Sequence, residues 1–228
     1  MAGLICRLQQ GMIVTACIAV CSMFSGSAYA GFIISYDGNS IAAGGTGTLD
    51  VQISSDAADS MPDFLDSFSA HFRITPVGGA VPNGLQFANL QVDSQLGDPS
   101  YVLHDDSLGE TFGGPLGLVS NFINSNDTYI GGDGTVTGTG IPLSITSGTS
   151  LLFQLNLDAT LANLGDQFMV SLINDGSTEF LGPGFATISL NASSFDANTA
   201  TAVPEPSSAV MFLVAALGIG VFRRRLVA

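Results

Sequence analysis

The 228-residue chain has no lysine and no tryptophan, only five arginines, and no cysteine beyond its first thirty residues. Without lysine there is no Schiff-base amine and no lysine to reach the phosphates of a nucleotide loop. The lack of tryptophan weakens a sugar-stacking platform, though Tyr36, Tyr101 and Tyr129 remain available. Between Gly31 and Ala202, eighteen Asp and Glu stand against the single Arg73. A phosphate-binding surface needs clustered Lys and Arg to release counterions, so nucleic acid is excluded as a partner. Because Cys6, Cys17 and Cys21 all lie near the start, the rest of the chain has no thiol nucleophile and no disulfide, and its core must hold it together. Such acidity suits an exported, solvated protein or one that meets divalent cations.

Both ends read as address labels. At the start, Arg7 supplies a modest positive region, Met12 to Phe24 an apolar stretch, and "SAYA" at Ser27 to Ala30 the small residues of a signal-peptidase site. Ala28 and Ala30 occupy the two positions that enzyme reads, which predicts residues 1–30 as a signal peptide and Gly31 as the first exported residue. The apolar stretch is shorter than the roughly 20 residues that a membrane span needs.

At the other end, Pro204, Glu205 and Pro206 precede an apolar run, Ala209 to Phe222, and then Arg223, Arg224 and Arg225. The prolines keep the approach extended, since each fixes φ and restricts the residue before it. As a helix, residues 209–222 would cover about 21 Å at roughly 1.5 Å per residue. A short stop-transfer helix is expected, its arginines left cytoplasmic and the preceding domain outside. This order of residues resembles the PEP-CTERM sorting signal of Gram-negative bacteria. The resemblance implies that the chain is cargo: an exosortase, a membrane-embedded protease, would cut the tail, and the protein would reach the cell surface or extracellular matrix. A plain C-terminal anchor uses the same residues and differs only in whether the tail is removed.

Between the labels, apolar residues recur with the period of strands. "TLDVQIS" sets Leu49, Val51 and Ile53 against Thr48, Asp50 and Gln52, and "SFSAHFRIT" sets Phe68, Ala70, Phe72 and Ile74 against Ser67, Ser69, His71 and Arg73. "LLFQLNLDA" places Leu151, Phe153, Leu155 and Leu157 opposite Leu152, Gln154, Asn156 and Asp158, and "QFMVSL" aligns Phe168, Val170 and Leu172. Shorter strands are expected near Phe32 to Tyr36, Leu85 to Val92, Leu116 to Ile123, Ile141 to Ile145 and Ala186 to Leu190, with a short turn at Ala159 to Leu164. Turn signals separate them, among them "VGGAVPNG" from Val77, "GGDG" from Gly131 and "NDG" from Asn174. The fold class predicted is all-β: an antiparallel β-sandwich over 31–190, then a polar spacer at 191–202 and the sorting signal at 203–228. The rhythm of "GTGTLDVQISSDAADS", "FSAHFRITP" and "SLLFQLNLDAT" also resembles the cohesin-like jelly-roll sandwiches of surface proteins.

Candidate chemistry is sparse. There is neither a G-x-S-x-G elbow nor an H-E-x-x-H helix, and no pair of acids stands out for glycoside hydrolysis. "DAADSMPDFLD" brings Asp56, Asp59, Asp63 and Asp66 together in sequence, and calcium accepts six to eight oxygens in irregular loops, so these four are the candidate metal ligands. "GGDGT" reads as a hairpin turn. His104 beside Asp105 and Asp106 is a local cluster of metal-ligand or acid/base type, with the plainer reading of an exposed loop after a strand at Tyr101 to Leu103, and His71 on a polar strand face is expected to be solvated or a cross-strand partner, of a neighbouring aspartate for example, rather than a ligand. The expected function is that of a non-enzymatic structural or adhesive surface protein, requiring no cofactor beyond the possible calcium. Its partners would be the processing protease, the membrane, and extracellular polysaccharide or surface proteins. The alternative is a carbohydrate- or protein-binding module, and a third possibility is an extracellular hydrolase.

Overall fold

Strict alternation along the longest segments dictates sheets with one face inward, and the computed structural model bears this out. It describes residues 31–38, 40–89, 91, 94–112 and 126–204. Among them run the strands β1 (Phe32–Asp37), β2 (Ser40–Ala42), β3 (Thr46–Ser55), β4 (Asp63–Leu65), β5 (Ser67–Val77), β6 (Gln86–Phe87), β7 (Thr128–Gly134), β8 (Ile141–Leu143), β9 (Ser150–Asp158), β10 (Gln167–Leu172), β11 (Glu179–Gly182), β12 (Ala186–Thr187) and β13 (Asn198–Val203). An α-helical turn, Leu108–Phe112, and the 3-10 turns Ser94–Gly97, Pro183–Phe185 and Ala192–Phe195 interrupt them.

One sheet has the order β1-β3-β9-β6 and is antiparallel throughout. In the other, β5 is central. β7 pairs with one of its edges over Ser67 to Arg73, while β10 and β11 lie end to end along the opposite edge, at Phe72 to Val77 and Ser67 to Ser69 respectively. β13 follows β10, and β2 closes that edge as a parallel partner. β4 and β8 form a separate two-stranded ribbon. The inner faces of the two large sheets make one core, in which Phe32, Phe72, Phe87, Phe168 and Phe180 are fully buried. Phe153 meets Phe68, Phe72 and Tyr129 edge to face, with ring centroids at 5.3, 5.4 and 6.2 Å, the geometry favoured by the ring quadrupole.

Four expectations are corrected. The spacer at 191–202 is not a spacer: Ala192–Phe195 is a 3-10 turn and Asn198–Val203 is β13, with Ala200 and Ala202 in the core. Its inward side chains are alanines, too small to mark an apolar face among Thr and Asn, and the sandwich therefore extends to Val203. The "GGDG" turn is the end of β7, paired residue for residue with Ser67 to Ala70. Glycine is needed there for close approach rather than for a turn: a Cβ on Gly131 would lie 2.8 Å from Phe153 Cε1, and one on Gly132 2.4 Å from the Phe68 carbonyl oxygen. Leu152 is not on a polar face but fully buried, because a bulge opposite Val51 and Gln52 resets the alternation. Tyr101 to Leu103 are turn residues with a single bridge, Tyr101 to Leu151, rather than a strand. The strands expected at 85–92, 141–145 and 186–190 are present but shorter. The signal peptide at 1–30, the strand at 116–123 and the tail helix at 209–222 lie outside the described residues.

Candidate functional site

Strand directions sort the loops into two ends. β13 runs out at Val203 beside the start of β10, since Gln167 pairs with Thr201, and beside the end of β2, since Val203 pairs with Ala42. Three backbone bonds lock this exit: Ala43 N–H to Val203 O at 2.8 Å, Ala202 N–H to Asp166 O at 2.9 Å and Gly165 N–H to Ala202 O at 2.9 Å. Pro204 follows directly and is exposed. No spacer separates the sandwich from the candidate sorting residues. Glu205, Pro206, Arg223, Arg224 and Arg225 lie outside the described residues.

The loop joining β9 to β10 belongs to this exit end. Within it Ala159 and Ala162 turn inward, while Leu161 and Leu164 are 63% and 65% exposed. This reverses what burial alone would choose, since the larger apolar side chains face out. Its carboxylates are turned to backbone: Asp158 accepts from Thr160 N–H at 2.9 Å and Asp166 from Asn163 N–H at 2.9 Å.

At the opposite end, Gly31 is buried and its N–H donates to Asp56 Oδ1 at 2.7 Å. Ala28 and Ala30 lie outside the described residues. Here the β4–β8 ribbon and the 3-10 turn Pro183–Phe185 leave Met61, Phe64, Ile145 and Phe185 exposed, Phe185 to 80% and with φ 63°. A bulky residue in the left-handed region carries steric strain. None of these side chains stands out in the sequence, because single apolar residues in loops carry no period.

The four candidate calcium ligands do not converge. Asp56 holds Gly31, Asp59 accepts from Thr146 Oγ1 at 2.6 Å, Asp63 from Ser55 Oγ at 2.7 Å, and Asp66 from Thr135 Oγ1. Each carboxylate ties its loop to a different element. The hydrogen bonds from Thr146 and then Ser144 hold the Asp59 carboxyl below the usual carboxylate range. Among the described residues the one group of three potential ligands is His104, Asp105 and Glu110, with ligand atoms within 4.8 Å of one another. Asp106 has left that cluster to bond Thr137 through both oxygens, and Glu110 has entered it through the helical turn. Asp133 is also committed, accepting from Tyr101 Oη at 2.7 Å, Ser107 Oγ at 2.5 Å and Gly134 N–H at 2.7 Å, which pins the 98–112 segment to β7.

His71 does pair with an aspartate, Nδ1 to Asp175 Oδ2 at 2.8 Å. The pair closes the excursion between β10 and β11, helped by Ile173 N–H to His71 O at 2.7 Å. Desolvation pushes the Asp175 carboxyl up, but the Ser177 N–H, His71 and Arg73 together bring it below its ordinary value. Beside this excursion lies an open cleft of about 430 Å³, lined by Thr178, Glu179, Ile188, Leu190 and Phe195.

No curated protein sequence matches the chain. In fold it is similar to cohesin modules. One is the seventh ScaB type I cohesin of Pseudobacteroides cellulosolvens (8% identity, TM-score 0.46, covering 76% of this chain and 93% of that one). A second is a non-cellulosomal cohesin of the archaeon Archaeoglobus fulgidus (14%, 0.45, 79% and 97%). A third is the sixth cohesin of Acetivibrio cellulolyticus scaffoldin B, solved with a Cel5 dockerin (13%, 0.44, 77% and 99%). Residues 202–225 match the PEP-CTERM protein-sorting motif, beginning inside β13 and running through the arginine block. The chain carries that sorting signal and is an exported protein.

Proposed function

We propose that the chain is export cargo whose tail is cut at the membrane by an exosortase-type protease, and that its sandwich is a non-enzymatic structural or adhesive module of the cell surface or extracellular matrix. The observation that carries this reading is polarity. The tail leaves from one end, while Met61, Phe64, Ile145 and Phe185 stand exposed at the other. β3, with ten residues, sets these ends about 33 Å apart at roughly 3.3 Å per residue. An apolar end held away from the membrane meets other macromolecules first, and clustered exposed apolar side chains mark interaction surfaces.

Two sets of variants test the reading in the native host. Replacing Pro204 and Glu205 should accumulate a larger, membrane-retained form on immunoblots of cell fractions; a protein of unchanged size and location would mean the tail is only an anchor. Changing Ile145 and Phe185 to Ser should leave size and export intact but reduce retention on the cell surface or in the matrix. Unchanged retention would remove the distal end from the reading. The cleft beside Glu179 favours a second reading, a carbohydrate- or protein-binding module, and glycan-array binding lost on Phe195→Ala would select its carbohydrate form.

A further inference from the structure

The exit end carries an exposed pair of leucines, Leu161 and Leu164. We propose that, while the tail is still attached, Leu161 and Leu164 rest in the interfacial layer of the outer leaflet and orient the sandwich end-on to the bilayer. The inference rests on the reading above, in which residues 209–222 lie in the membrane.

Tether length makes the first argument. Val203 is the last residue of β13, and the apolar run starts at Ala209. The five steps from Pro204 to Ala209 reach at most about 17 Å fully extended, at roughly 3.5 Å per residue. The headgroup layer takes up about 6 Å of that, half the difference between a bilayer with and without its interfaces. Only some 10 Å of clearance is left, about the length of three extended residues. Two prolines in the tether limit its ability to fold back.

The second argument is where the leucines sit. Their loop is fastened to the exit strand itself, through Gly165 N–H to Ala202 O and Ala202 N–H to Asp166 O. It cannot swing away from the tether without breaking those bonds. Both side chains are about two-thirds exposed, while the alanines beside them fill the core. An exposed leucine pair gains nothing in water but does gain where its apolar surface leaves water. The two acids of the loop accept from backbone N–H groups of the loop itself. The domain's acidity sets the lipid preference: eighteen Asp and Glu against one Arg between Gly31 and Ala202 repel an anionic surface, and zwitterionic lipid is the favourable one.

The test uses the full chain with Cys6, Cys17 and Cys21 changed to Ser, exported in a host lacking exosortase, purified and reconstituted in phosphatidylcholine vesicles. Single variants Leu161→Cys, Leu164→Cys and, at the far end, Ile145→Cys carry an environment-sensitive fluorophore. Flotation reports whether the tail is inserted; quenching by brominated lipid reports what the fluorophore touches. The expected result is a blue shift and loss of fluorescence at 161 and 164 and neither at 145, with both signals weakening when phosphatidylglycerol is added. A chain that floats but whose labels at 161 and 164 behave like that at 145 overturns this inference alone. A chain that does not float overturns the tail reading and this inference with it. Shielding of 161 and 164 only in membranes that contain the processing protease would assign the leucines to a protein partner and overturn the lipid assignment.

Discussion

Gly132→Ala tests whether residues 131–134 end a strand or tip a turn. In the sandwich, Gly132 lies opposite Ser69 in β7, and an added methyl would sit 2.4 Å from the Phe68 carbonyl oxygen and 3.2 Å from the Ser69 Cα. The obstructing atom is backbone in the central strand, so no rotamer change relieves it. β7 must lift from β5 along a pairing that runs from Ser67 to Arg73. Overpacking costs about 1–3 kcal/mol, and each ladder hydrogen bond stretched on lifting adds about 1 kcal/mol, which places this substitution near 3 kcal/mol. For a domain of this size that lowers Tm by about 6–12 °C. Gly79→Ala is the internal control. Its Cβ meets nothing within 4 Å and its backbone is outside the left-handed region, so it should raise stability by about 0.4–1 kcal/mol by restricting the unfolded chain. Thermal and urea unfolding of residues 31–204 would measure both. Were 131–134 an open turn, the two substitutions would behave alike. A Gly132→Ala protein that melts with the wild type, or moves upward with Gly79→Ala, would refute the strand assignment.

Phe153→Ala removes the ring shared by three edge-to-face contacts and should cost about 3–5 kcal/mol, against about 1 kcal/mol for its outward neighbour Gln154→Ala; equal costs in urea unfolding would contradict the placement of the core. Burial pushes the Tyr36 phenol up to about 12, against the Leu172 N–H that its oxygen accepts. An unfolded tyrosine ionises near pH 10, so stability is complete below that and should fall by on the order of 2 kcal/mol as pH rises toward 12. Tyr36→Phe should remove that alkaline slope, and a slope that persists would locate it elsewhere. If Gly31 begins the exported chain, its amine forms 2.7 Å from Asp56, and Asp56→Asn should cost about 1–2 kcal/mol; N-terminal sequencing checks the start, and an unchanged Tm would deny Asp56 that role.

The strands that could be read from sequence were those whose inward residues are large. β3, β5, β9 and β10 set Leu, Ile, Val or Phe at most inward positions against outward neighbours that are polar for the most part, Met169 excepted, and that pattern admits one register with its apolar face buried. The sorting signal was equally plain, because charge, proline and apolar length are properties of the chain and need no fold to express them. β7 and β13 were illegible, since their inward positions include Gly131, Ala200 and Ala202, and small residues carry a packing requirement without a hydrophobic signal. Only tertiary structure decided that Asp56, Asp59, Asp63 and Asp66 go to separate partners, because hydrogen-bond donors brought near by distant strands outcompeted proximity in sequence. Only tertiary structure placed Leu161 and Leu164 in the loop fastened to the end of β13, and Ile145 and Phe185 at the far end. Sequence determined that the chain is exported and built of strands; the end of the sandwich from which the chain runs on to Pro204 follows from strand direction, which only the pairing of β13 with β10 and β2 supplies.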